Sequence, residues 1–210
     1  MRPRTAAYPS TYGLVLYCRS RALPLTVATL LGTALLAAVC AHQLNASTDP
    51  FQRVPLVVLA PMLAAVAIGT SLRQRSAELD RTAARPARPR RLAHLLALTT
   101  LAAGTLALAA PGHTREFGAP AMVRNLAGAV GITAAAATVI GPRLSWLPTV
   151  AYLGAVSLAG DGVPGRAATI WAWPVQPGPP PAAWAVAAGA FIVGGALYVL
   201  RGPWPESPHD

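Results

Sequence analysis

Apolar positions along this chain come in six long runs, and charged positions crowd into the short stretches between them. The runs are Leu23–His42, Val54–Leu72, Leu92–Ala110, Met122–Gly141, Leu144–Gly160 and Ala182–Leu200. Each is close to the ~20 residues that carry a helix across a ~30 Å hydrocarbon core. Lipid offers no partner to backbone N–H and C=O groups, so the runs are expected to be helical. The pattern predicts an all-α integral membrane protein, a bundle of six transmembrane helices. No segment between runs is long enough for a soluble core, so residues 23–200 read as one membrane domain. Residues 1–22 and 201–210 flank it.

Composition strengthens this reading. Of 210 residues, 54% are hydrophobic and 11% charged, with a mean hydropathy of +0.46. A soluble domain carries about 25% charged residues. All 17 basic residues are Arg, in a chain rich in Ala, Pro and Gly, which points to a GC-rich genome such as an actinobacterium's. The net charge of +10 sits at span ends rather than on one basic face, so no nucleic-acid partner is expected.

The arginines also predict orientation. With the N-terminus inside, thirteen arginines fall to inner segments, seven of them between Arg73 and Arg91. Four fall outside: Arg53, Arg115, Arg124 and Arg166. The positive-inside bias then favours both termini in the cytoplasm of a multi-pass cell-membrane protein. The basic start before the first run resembles a signal peptide, but Val39 is β-branched where a small residue should precede Cys40, so an uncleaved helix is expected. Cys18 and Cys40 are expected toward opposite membrane faces with a span between them, so no mutual bridge is expected.

Asp, Glu and Arg are absent from span interiors in this reading, which argues against ion-coupled carriage and against intramembrane acid–base catalysis. His42 and His94 stand at span ends without a second ligand at coordinating spacing, so they are read as interfacial, and neither metal nor cofactor is expected. Thr26, Thr29, Thr33, Thr70, Thr99, Thr100, Thr105, Thr133 and Thr138 are expected to bond the preceding helical turn. Small residues recur every four positions at Ala127, Gly131 and Ala135, at Ala151, Ala155 and Ala159, and at Ala185–Gly189 and Ala190–Gly194. Such rows predict close helix packing or a dimer face.

Three connecting segments carry candidate function. Ser76–Arg85 has helix-forming composition, with Pro86 and Pro89 expected to stop the helix. Residues 1–22 mix Tyr8, Tyr12 and Tyr17 with arginines, as an interfacial helix facing membrane lipids would, confined to about Ser10–Ala22 by Pro3 and Pro9. Asp161–Pro181 holds Trp171, Trp173 and six prolines, and Ala167–Trp173 is predicted as a short re-entrant helix.

The stretch Ser76-Ala-Glu-Leu-Asp-Arg-Thr-Ala-Ala-Arg-Pro resembles the first inner loop of actinobacterial ABC transporter permeases of the type 2 exporter class. Arg124-Asn-Leu-Ala-Gly, Trp146-Leu-Pro-Thr-Val-Ala-Tyr and Trp171-Ala-Trp-Pro are similar to that group too. The resemblance implies a non-enzymatic permease subunit of an exporter that works as a homo- or heterodimer. A separate cytoplasmic ATPase subunit would drive it. Glu78, Leu79, Asp80 and Arg81 would form the coupling helix that docks on that ATPase. The competing expectation is a non-transporting accessory, scaffold or self-protection protein.

Overall fold

The computed structural model describes residues 23–44, 50–73, 87–109, 117–159 and 166–204. Among these residues there is no strand, and seven α-helices follow one another: α1 (Leu23–Leu44), α2 (Val54–Ser71), α3 (Ala87–Ala109), α4 (Ala119–Val139), α5 (Trp146–Ala159), α6 (Arg166–Trp171) and α7 (Pro181–Arg201). Short 3-10 turns at Pro50–Arg53 and Trp173–Val175 precede α2 and α7. Five of the helices, α1 to α4 and α7, are long and apolar enough to cross a membrane. The protein is therefore all-helical, with the makeup of a multi-pass membrane protein.

The fifth apolar run is the exception in length. Its helix, α5, has 14 residues and rises only about 21 Å, less than a ~30 Å core. Elsewhere the helices match the apolar runs to within a few residues, save that α3 begins five residues before Leu92. Pro89, expected to halt a helix, lies in the first turn of α3 instead. A first-turn proline gives up no intrahelical bond, because its N–H would have no partner there anyway.

The centre of the bundle is α4. Fourteen of its 21 residues are buried. It packs most extensively on α7, then on α2, α3 and α5. α1 packs on α2 and α3. The exterior is the inverse of a soluble protein's. Leu25, Leu35, Leu36, Leu108, Leu158, Ile192 and Val193 all face outward. An apolar exterior of this kind is costly in water and natural in hydrocarbon.

Small residues set the spacing. An added Cβ on Gly131 would collide with the backbone of Ala190, and one on Gly194 with the carbonyl oxygen of Gly131. The rows noted in α4 and α7 thus face each other within one chain. Gly189 meets nothing within 4 Å, and Ala151, Ala155 and Ala159 are exposed, so those rows lie on the surface.

The two ends of the bundle differ. At the end where α3 and α7 meet, the guanidinium carbon of Arg91 lies 2.7 Å from where a Cβ on Gly202 would stand. Gly202 has φ 81° and terminates α7, and the Trp204 N–H donates to Ala137 O at 2.9 Å. Here too lies His94, which the sequence reading assigned to an interface. It is buried, with Nε2 at 3.2 Å from Ser71 Oγ. Ser71 donates its single proton to Ile68 O at 2.6 Å, so it is the acceptor toward His94, and Nε2 carries the proton. The reason for the correction is that α3 starts early, placing His94 in its second turn against α2.

Candidate functional site

The opposite end holds a buried polar cluster. Arg124 and Asn125 sit in the second turn of α4, both fully buried. The sequence reading counted Arg124 among outer-segment arginines. In the structure α4 begins at Ala119, so the side chain is carried inside the bundle. A buried cation needs partners, and these come from the segment that follows α6. Arg124 Nη1 donates to Pro177 O at 2.6 Å and Nη2 to Gln176 O at 2.7 Å. Its Nε donates to Asn125 Oδ1 at 3.2 Å.

Asn125 joins three elements. Its Nδ2 donates to Pro174 O at 2.7 Å and to Val57 O at 3.0 Å. These partners orient the amide, since only the nitrogen can face two carbonyls. The Val57 carbonyl is available for a specific reason. In an α-helix it would accept from the N–H of residue 61, and residue 61 is Pro, inside α2. Asn125 supplies the donor that Pro61 lacks.

One turn further into α4, Gly128 makes room for Trp173. An added Cβ there would overlap the six-membered part of the indole ring. Trp173 is only 2% exposed and packs with Ala183, Ala187, Ile132 and Tyr152. Gly128 lies nine residues into α4, so the indole reaches about 13 Å below the start of that helix. The hydroxyl of Tyr152 donates to Trp171 O, and Trp184 Nε1 donates to Gly178 O at 2.9 Å. The described stretch 166–180 is thus fastened to the bundle from α4, α5 and α7. Its helix, α6, falls where a short helix was expected at Ala167–Trp173, and Trp173 itself belongs to the following 3-10 turn.

Most of the bundle's threonine hydroxyls are satisfied within their own helices. Thr29, Thr33, Thr70, Thr99, Thr105 and Thr138 donate to carbonyls three or four residues back. Thr133 departs from that expectation. Its hydroxyl pairs with Thr149 at 2.7 Å and links α4 to α5. Among the described residues, cavities lie at two flanks of the bundle. One of about 280 Å³ lies between α1 and α2 and is lined by residues such as Leu36, Cys40, Leu56 and Leu63. The other, of about 400 Å³, lies among α4, α5 and α7, near Ile132, Val139, Pro148 and Val193. Both linings are almost wholly apolar.

Glu78, Leu79, Asp80 and Arg81 lie outside the described residues, as do the whole of Ser76–Arg85, residues 1–22 and Cys18. The cluster around Arg124 was not singled out in the sequence as a site. Its signal was present as Arg124-Asn125 at the head of an apolar run, with Gly128 one turn on. Comparison with known proteins finds no matching family model, no similar curated protein and no similar solved structure.

Proposed function

We propose that this chain is the membrane-spanning permease subunit of an ATP-driven exporter of the ABC type, energised by a separate cytoplasmic ATPase. In this reading α5 counts as the sixth membrane crossing, both termini lie in the cytoplasm of the cell membrane, and the working unit is a dimer. The observation that carries it is the segment 171–178, held in the bundle by Arg124, Asn125 and the Gly128 notch. On this side the segment would lie at the outer leaflet, where an exporter releases its substrate. The exposed row Ala151, Ala155 and Ala159 offers α5 as a dimer contact, because small residues let backbones approach. None of the seven Asp and Glu residues falls in a described helix, which favours an external energy source over ion coupling.

A second reading, a non-transporting accessory, scaffold or self-protection protein, is favoured by the apolar lining of both cavities. In that reading the polar groups serve folding alone. Affinity purification of the full chain in mild detergent separates the two. An exporter subunit brings an ATPase with it, and ATP hydrolysis is measurable in the eluate. Recovery without any ATPase leaves the second reading in place.

A further inference from the structure

We infer that Asn125 is a positioning residue that couples the segment 171–178 to the Pro61 break in α2, so that loosening one loosens the other. The coupling runs through a single nitrogen. Asn125 Nδ2 holds Pro174 O at 2.7 Å on one side and Val57 O at 3.0 Å on the other. Both contacts are buried, so water cannot replace either partner when it is lost.

The α2 side of the link is weak without it. Pro61 removes the ladder bond to Val57 and leaves that carbonyl dependent on a donor from another helix. Such a break is where helices bend. On the segment side the attachments are few and separate. Arg124 holds the carbonyls of Gln176 and Pro177, Tyr152 holds that of Trp171, and Gly128 admits the Trp173 ring. When the segment shifts, Pro174 O leaves Nδ2, the amide loses one of the three bonds that orient it, and Val57 O loses its fixed donor. α2 is then free to bend at Pro61. This device stands on geometry and holds whether or not the protein transports anything.

The test is hydrogen–deuterium exchange of the full chain in lipid nanodiscs. The variants are Tyr152→Phe, Arg124→Gln, Pro61→Ala, Asn125→Leu and their combinations. Tyr152→Phe removes one hydroxyl, which is bonded to the segment. It is expected to speed exchange in 171–178 by about fivefold, the effect of one lost buried hydrogen bond, and to speed 58–65 of α2 alongside it. Pro61→Ala restores an N–H to position 61, so α2 closes its own ladder. In that background Tyr152→Phe is expected to speed the segment as before and α2 by under about twofold, because one helical bond has replaced the link. With Asn125→Leu, α2 is expected to exchange fast already and to gain nothing from Tyr152→Phe. If Asn125→Leu fails to accumulate, Asn125→Ser, too short to reach both carbonyls, takes its place.

Three results overturn the inference. The segment speeds while α2 keeps its rate; α2 responds to Tyr152→Phe equally with and without Pro61; or neither Tyr152→Phe nor Arg124→Gln moves the segment at all.

Discussion

Gly131 of α4 and Gly194 of α7 touch backbone to backbone, so that neither position has room for a side chain. This contact lies in the most extensive helix pair of the fold and holds α7 against the buried central helix. Gly194→Val is expected to force the helices apart and to destabilise the protein by at least about 1–3 kcal/mol, as overpacking does. Gly189→Val, on the open face of the same helix, should change stability by under about 0.5 kcal/mol. Thermal unfolding in detergent compares the two. Equal midpoints would refute the close approach.

Trp173 fills the Gly128 notch, and its loss leaves a void next to Ala183 and Ala187. Trp173→Ala is expected to cost about 3–5 kcal/mol, the range for truncating a buried aromatic. Gly128→Val should expel the ring from the opposite side and produce a similar loss. Intrinsic tryptophan fluorescence reads both. The emission of Trp173 should lie to the blue in the native chain and disappear or move to the red in the respective variants.

Orientation is testable with reporters. A fusion after Arg85 should report as cytoplasmic, and one near Gly162 as external, because thirteen of the 17 arginines then lie inside. An external signal at Arg85 would reverse the orientation and place the Arg124 end of the bundle in the inner leaflet.

The proposed ATPase contact rests on Leu79 as an apolar anchor among Glu78, Asp80 and Arg81. Leu79→Asp should abolish copurification of the ATPase while the chain still inserts. Glu78→Ala should do less, since an exposed rim charge contributes only about 0–1 kcal/mol. If an ATPase copurifies and survives Leu79→Asp, the exporter reading stands and the docking residues are others.

The positions of the helices were legible in the sequence because the bilayer imposes a length and a polarity on each crossing, and both are local properties of the chain. Runs such as Val54–Leu72 therefore coincide with α2 almost residue for residue. The short helix in the tryptophan- and proline-rich segment was legible too, from composition that suits an interface. The pairings were not. Pro61 reads as a proline in a helix, and nothing nearby says that its missing donor will come from Asn125, 64 residues away in the chain. Arg124 at the edge of an apolar run reads as a topology signal, and only the return of residues 174–177 makes it a buried tie. The Gly131 row was visible as small residues, but its partner was not, since Ala-rich rows occur in three helices and chain packing alone selects α7. Sequence by itself determined which stretches of this protein are helices suited to lipid, because that depends on each stretch alone. Tertiary structure decided which helix is central, which small residues touch and which carbonyls a buried side chain must satisfy. Those depend on groups far apart in the chain competing for the same few contacts in a close-packed interior.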